Sequence, residues 1–307
     1  MTKPVILAQD LSKKYGNFTA VDGIDFEIHN GECFGFLGPN GAGKTSTMKM
    51  IYGFNTVTSG RLNVLGLNVE TQLREIKAQL GVIPQEDNLD PDLKVFQNLR
   101  VYARYFDIPK QTAIQRCTEA LEMFQLSEKR DKYIHELSGG MKRRLVIARS
   151  LLNQPKIIIA DEPTTGLDPQ ARRLVWQKLQ QLKQQNVTLV LTTHYMEEAA
   201  QLCDRLAIMD RGKILEIGTP KGLVEQHVAP QVVELQLRQD QLPAITAELA
   251  SSSIQHEAVG DTIYAYTKDA HALGEQLRAH DGILRLVERQ ATLEDVFLTL
   301  TGHALDD

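Results

Sequence analysis

The segment GPNGAGKTS combines glycines, one lysine and two hydroxyl residues in the spacing G-x-x-x-x-G-K-[ST]. Glycines let successive main-chain N–H groups converge on an anion, and a helix that follows directs the positive end of its dipole to the same point. An apolar, strand-like run precedes the segment and a helix-compatible run follows it. The segment therefore predicts a phosphate-binding loop, in which Lys44 contacts phosphates and the Thr45 hydroxyl ligates Mg²⁺. The predicted loop comprises Gly38, Pro39, Asn40, Gly41, Ala42, Gly43, Lys44, Thr45 and Ser46.

Two adjacent acids end the apolar run KIIIADEP. Asp161 lies at the carboxyl end of a predicted strand, where a carboxylate can hold Mg²⁺ directly or through water. Glu162 follows at once, so it can face another side of the same site and polarise a water molecule. Taken alone, the pair is equally well explained as a solvated acidic turn. The phosphate-binding loop upstream favours the metal and base roles.

Three more candidate side chains follow or end predicted strands. His194 ends the run VTLVLTTH, Gln85 follows LGVIP, and Tyr15 ends the first predicted strand. Because the carboxyl ends of neighbouring parallel strands face one crevice, His194 and Gln85 are candidates for the same site, although a lone histidine is usually structural. Tyr15 could stack on a nucleotide base, although aromatic residues of strands more often pack in the core.

The segment LSGG begins another predicted helix with Ser138, Gly139 and Gly140. A glycine pair is costly at a helix start, so we expect a ligand to approach this backbone closely. The Ser138 hydroxyl, the exposed N–H groups and the helix dipole together form the second half of an anion site. The run of basic residues from Lys142 to Arg144 could suggest nucleic acid, but three basic residues on a helix of an acidic protein favour a solvated face.

The elements that position these residues alternate in type along the chain. The first thirty residues predict antiparallel strands, and three later apolar runs, KIIIAD, VTLVLTTH and RLAIMD, predict buried strands of a parallel sheet with helices on both faces. Between Gln85 and Ser138 the pattern becomes helical. One apolar stripe begins at Val95 and includes Leu99; another begins at Ile114, includes Cys117 and ends at Phe124. These patterns predict an α/β core with an antiparallel β subdomain and a helical subdomain.

A second unit is predicted after a boundary near Pro230. The order β-α-β-β-α-β that follows is typical of a small α+β, ferredoxin-like domain, and a last helix covers TLEDVFLTLTG. We therefore expect a nucleotide-binding domain over residues 1–228, with its helical subdomain at about 86–153, and a C-terminal accessory domain over residues 229–307.

Composition limits the function classes. The 34 basic and 39 acidic residues give a net charge of −5, which is a poor match for a dedicated nucleic-acid binder. No apolar run has the length that crosses a bilayer, and the start of the chain lacks the apolar core of a signal peptide. The three cysteines lack metal-type spacing, so we expect reduced thiols in a cytosolic protein.

Taken together, GPNGAGKT, Gln85, LSGGMKRR, IIIADEP, GLDP and His194 resemble the ATP-binding-cassette (ABC) ATPase family in order and spacing. LSGG is the signature that separates this family from other P-loop proteins. The resemblance implies ATP and Mg²⁺ as cofactors. It implies that Tyr15 stacks on adenine, that Lys44, Thr45 and Ser46 bind phosphate and Mg²⁺, and that Asp161 lies at the metal.

The resemblance also assigns roles to the other candidates. Gln85 resembles the glutamine that contacts Mg²⁺ or the attacking water, Glu162 resembles the general base, and His194 resembles the switch histidine at the γ-phosphate. In this family the segment Ser138–Gly140 binds the γ-phosphate of the ATP held by the opposite subunit.

Three further segments, PQEDNLDPDLKVFQNL, LTTHYMEEAAQLCDRL and TLEDVFLTLTG, resemble the ATPase subunits of type-2 ABC exporters. The similarity is greatest to the drug-resistance and nodulation-factor export branches. It implies a homodimer on the cytoplasmic face of the inner membrane, bound to a separately encoded permease that exports a drug-like or lipid/oligosaccharide substrate. The alternative is a soluble ABC ATPase of translation or DNA repair. Such proteins usually carry a second cassette or a long coiled-coil insertion, and this sequence has neither.

Overall fold

The computed structural model describes residues 3–303. Its strands are β1 (Ile6–Tyr15), β2 (Phe18–Ile28), β3 (Cys33–Leu37), β4 (Ser59–Val64), β5 (Leu67–Asn68), β6 (Leu80–Ile83), β7 (Ile157–Asp161), β8 (Thr188–Thr193), β9 (Arg205–Asp210), β10 (Lys213–Gly218), β11 (Gln231–Leu237), β12 (His256–Val259), β13 (Thr262–Thr267) and β14 (Ile283–Gln290). Its α-helices are α1 (Lys44–Ile51), α2 (Leu73–Lys77), α3 (Val95–Tyr105), α4 (Lys110–Met123), α5 (Gly139–Ser150), α6 (Pro169–Gln184), α7 (Met196–Leu202), α8 (Pro220–His227), α9 (Leu242–Ser251), α10 (Ala270–Leu277) and α11 (Leu293–Thr301).

The central sheet has the strand order β10-β9-β3-β8-β7-β6. Its five strands from β9 to β6 pair in parallel, and only β10 runs antiparallel, at the edge. Every residue of β3, β7 and β8 is buried, as expected for strands covered on both faces. The carboxyl ends of β3, β8, β7 and β6 therefore lie side by side, and the predicted site residues follow them in the sequence. The predicted α/β class is confirmed.

A second sheet is antiparallel and has the order β2-β1-β4-β5. The hairpin of β1 and β2 was predicted from the sequence. Strands β4 and β5 were not, although β4 pairs along β1, with Ile6 opposite Val64. This pairing joins segments that are far apart in the sequence, so the local pattern of apolar residues does not predict it.

Helices α3, α4 and α5 form the predicted helical subdomain. The apolar stripes face one core: Val95, Leu99 and Phe124 are fully buried in it. Ile114, which the predicted stripe of α4 included, is instead 36% exposed. The helical insertion thus packs as one amphipathic group, and the strand pattern resumes at β7.

The C-terminal part has the element order β11-α9-β12-β13-α10-β14 and an antiparallel sheet in the order β12-β13-β11-β14. This order is that of the predicted ferredoxin-like arrangement. Helix α11 then returns to pack against α8 and α7, and Leu223, Val228, Val296 and Phe297 belong to one buried apolar cluster. The boundary at residues 228 and 229 stays a prediction. Within residues 3–303, none of the helices combines the length and apolarity needed to span a bilayer.

Candidate functional site

The predicted phosphate loop connects β3 to α1, and its glycines are required by the surrounding backbone. A Cβ added to Gly38 would lie 2.2 Å from the carbonyl oxygen of Met209. Gly43 has a φ of +100°, and a Cβ there would lie 2.5 Å from the carbonyl oxygen of Ala20. Larger residues would push the loop away from the sheet. The glycines therefore keep the N–H groups of the loop at the start of α1.

Lys44 extends into the loop instead of into solvent. Its side chain is buried, and Nζ donates hydrogen bonds to the carbonyl oxygens of Gly38 and Pro39, at 2.6 and 2.8 Å. Burial lowers the pKa of Lys44, while the nearby carboxylates of Glu162 and Asp161 raise it in part. The ammonium therefore lies within the cradle that a phosphate would enter.

Asp161 at the end of β7 meets the P-loop through Thr45. The Thr45 hydroxyl donates to Asp161 Oδ1 at 3.1 Å, and the Thr192 hydroxyl donates to the same oxygen at 2.5 Å. Burial raises the pKa of Asp161, although both of these hydrogen bonds lower it in part. A carboxylate beside a hydroxyl is a hard oxygen donor set, so these residues fit Mg²⁺, which completes its shell with water and phosphate oxygens.

Glu162 is held by neighbours on three sides. Its backbone is left-handed, with a φ of +46°, and its Oε2 accepts from Gln85 Nε2 at 3.3 Å and from the Thr165 hydroxyl at 3.1 Å. His194 Nδ1 lies 3.4 Å from Glu162 Oε1. The structure thus brings Gln85 and His194 together around the buried carboxylate of Glu162, a group that can accept a proton.

Tyr15 lines a cavity together with the phosphate loop and is not a core residue. It is 45% exposed, and its hydroxyl accepts a hydrogen bond from Asn55 Nδ2 at 2.5 Å. Phe18, which is 64% exposed across the hairpin turn, lines this cavity as well, together with Glu162 and the loop. Sequence reasoning missed Phe18. The sequence did contain a signal for Phe18, because it is a second aromatic residue at the other end of the turn that begins after Tyr15.

The signature residues lie elsewhere in the chain. Ser138 caps α5, because its Oγ accepts from the N–H of Met141 at 3.3 Å. Ser138 and Gly140 line a cavity together with Asp168 and Pro169, and this cavity shares no lining residue with that of the P-loop. Within one chain, the two predicted halves of the anion site are therefore apart.

Two charged side chains of this region bind main-chain groups. Asp168, in the segment GLDP, caps α6: its Oδ1 accepts from the N–H groups of Gln170 and Ala171, both at 3.0 Å. The predicted solvated face from Lys142 to Arg144 is wrong for Arg143, which is 4% exposed. Its charge is satisfied by main-chain carbonyl oxygens that neighbouring loops supply.

Comparison with known proteins agrees with this geometry. The ABC transporter family profile matches residues 21–165, and the profile of the C-terminal domain of the nodulation factor export protein NodI matches residues 243–302. The chain belongs to the ABC transporter family, as an ATP-binding subunit. It is similar to the Nod factor export ATP-binding protein I of Ralstonia nicotianae, with 43% identity over 99% of this chain and 96% of that one. It is also 42% identical in sequence to the protein of the same name from a Rhizobium species, over the full length of both chains.

Solved structures share the fold. The CbiO1 subunit of Clostridium perfringens, part of the ABC transporter complex CbiONQ, matches with a TM-score of 0.67 and 26% identity over 73% of this chain and 92% of that one. The cassette MJ0796, solved as a dimer in a post-hydrolysis state with ADP and Pi, matches with a TM-score of 0.65 and 25% identity over 70% and 98%. The predicted class, the ATP-hydrolysing subunit of an ABC exporter, is confirmed, and the alternative in translation or DNA repair is not favoured.

Proposed function

We propose that two copies of this chain form a head-to-tail homodimer, in which the P-loop of each copy faces the LSGG segment of the other. ATP binding closes the dimer because both subunits contact the triphosphate, and hydrolysis reopens it. A permease in the membrane converts this cycle into export.

The observation that carries the proposal is the empty space around the signature glycines. A Cβ added to Gly139 would meet no atom within 4 Å, and one added to Gly140 would lie 3.4 Å from Ala171 Cβ, an ordinary contact. Neither residue has a positive φ. The chain's own packing therefore does not require these glycines, and a ligand from outside the chain accounts for them.

The P-loop side supplies the reaction chemistry. Thr45 and Asp161 would hold Mg²⁺, with Gln85 lining the same cavity, and the metal ion would neutralise charge on the phosphates. Lys44 can move its donors from the carbonyl oxygens of the loop to phosphate oxygens nearby. Glu162 would accept the proton of the attacking water, and His194 and Gln85 orient its carboxylate.

The partners follow from the family and from the surface. A separately encoded integral-membrane permease would hold the dimer at the cytoplasmic face of the inner membrane. The segment after Gln85 exposes Glu86, Asp90 and Asp92, which suit a basic cytoplasmic helix of the permease. The relatives are Nod factor export proteins, so we infer a drug-like or lipid/oligosaccharide substrate for this chain. The acidic net charge of −5 does not favour nucleic acid.

The Glu162→Gln variant tests the proposal. We expect it to bind ATP, to lose turnover and to accumulate as a closed dimer in MgATP, because the base is lost while every phosphate contact remains. Size-exclusion chromatography with light scattering measures the dimer, and phosphate release measures turnover.

A second substitution separates the two halves of the site. In the Glu162→Gln background, Ser138→Arg should prevent the dimer while each monomer still binds ATP, because an arginine would occupy the space of the partner's phosphate. Loss of ATP binding by the isolated monomer would contradict the proposed arrangement in trans. Normal hydrolysis by Glu162→Gln would contradict the assignment of the base.

A further inference from the structure

Arg143 is a buried arginine in the middle of the signature helix α5, with 4% of its surface exposed. Among residues 3–303, its guanidinium donates hydrogen bonds only to main-chain carbonyl oxygens, which two separate loops supply. The acceptors are the carbonyl oxygens of Asp161, Glu162, Pro163, Pro84 and Gln85. The bonds to Asp161, Glu162 and Pro163 measure 3.0, 2.9 and 2.8 Å.

The chemistry of the side chain suits this arrangement. A guanidinium is planar and holds five N–H donors in a fixed fork, so it can bind two loops at once. A lysine ammonium is a compact charge with three donors, and it cannot span both loops in the same plane. The contacts at Arg143 therefore depend on the shape of the side chain as well as on its charge.

The two loops that Arg143 joins carry the reacting side chains. One carries Glu162 with its left-handed backbone, the other carries Gln85, and the two side chains are hydrogen-bonded to each other at 3.3 Å. Helix α5 begins after Ser138, five residues before Arg143, which is about 7.5 Å along the helix axis. Arg143 thus links the start of this helix to the main chain at Glu162.

The far side of the same segment is anchored independently. The Thr164 hydroxyl donates to Glu198 Oε1 at 2.7 Å, and Trp176 Nε1 donates to the same oxygen at 2.9 Å. Glu198 is fully buried at the start of α7, the helix that follows His194. A change at Arg143 thus leaves one anchor of the segment in place.

We propose that Arg143 is a positioning residue for hydrolysis. It fixes the main chain that carries Glu162 and Gln85 to the helix whose start contacts the ATP of the partner subunit. The position of the Glu162 carboxylate then depends on the position of the start of α5. The inference rests on the proposed head-to-tail dimer.

The Arg143→Lys variant of the full chain tests the inference. We expect kcat, normalised to the fraction of chains that bind ATP, to fall about 10- to 100-fold, because a small displacement of reacting groups has a cost of this size. KM for ATP should change by less than about twofold, since no phosphate ligand is altered. In the Glu162→Gln background, Arg143→Lys should still form the ATP-dependent dimer. Arg143→Met, which removes every donor, should lower kcat at least as much.

Arg116→Lys is the matched control. Arg116 on α4 also donates through its fork, to the carbonyl oxygen of Leu152 and to Gln154, but far from the base, so kcat should stay at the wild-type value. A wild-type kcat in Arg143→Lys, or loss of the dimer in the double variant, would overturn the positioning role. If Glu162→Gln alone forms no dimer, the proposed function fails first, and this inference fails with it.

Discussion

Replacing Gly139 by alanine is expected to stabilise the isolated chain and to impair hydrolysis. Gly139 is the first residue of α5, its φ is not positive, and an added Cβ meets no atom within 4 Å. Alanine restricts the unfolded chain at no cost in the folded one, a gain of about 0.4–1 kcal/mol. For a chain of this size, that gain raises Tm by about 0.6–1.6 °C. The same methyl group would fill the space expected for the partner's phosphate, so ATPase activity should fall by at least about tenfold.

Gly43→Ala is the matched control, because the same substitution should have the opposite effect on stability. With a φ of +100° and a carbonyl oxygen 2.5 Å from the added Cβ, it should lower Tm. Differential scanning fluorimetry without nucleotide measures both variants, and phosphate release measures activity. A lower Tm in Gly139→Ala would refute the view that this position is sterically free. Unchanged hydrolysis in Gly139→Ala would refute the approach of a phosphate to this backbone.

Three further predictions concern single side chains. Because burial raises the pKa of Asp161, its contribution to stability is present at low pH and is lost as pH rises through the raised pKa; Asp161→Asn should therefore have a higher Tm than wild type at pH 8, with a smaller difference at about pH 4, near the ordinary pKa of an aspartate. Arg289→Met leaves the carboxylate of Asp295, 1% exposed and held at 2.7 and 2.9 Å, without its partner, and should lower the free energy of unfolding in urea by about 3–5 kcal/mol. Tyr15→Ala should weaken ATP binding in calorimetry by about 10- to 100-fold if the ring stacks on the base; an unchanged affinity would refute stacking.

The sequence was most informative where chemistry follows directly from a strand. The P-loop, Asp161 and His194 come after short apolar runs bounded by turn residues, so the length of these runs and their flanking residues place them at strand ends. The rule that parallel strands present their carboxyl ends at one edge then brings them together. The helical stripes and the β-α-β-β-α-β order after Pro230 are likewise local patterns, and both appear in the structure.

The features that the sequence did not predict depend on contacts between distant segments. Strand β4 pairs with β1 although the whole P-loop lies between them in the sequence. No local pattern identifies that partner. Arg143 is buried because loops 18 to 20 and 58 to 59 residues away offer it carbonyl oxygens, whereas a run of basic residues by itself indicates a solvated face. Phe18 was missed for a similar reason: only the folded hairpin places its ring beside the loop.

The apolar cluster shared by α8 and α11 has a consequence for synthesis of the chain. Leu223 and Val228 leave the ribosome well before Val296 and Phe297, with which they share one buried cluster. The apolar surface of the nucleotide-binding part is therefore covered only after α11 has been synthesised. A message cut short before Pro230 yields a chain that contains every residue of the ATP site and still exposes this surface. Such a product is expected to be a target for chaperones and proteases.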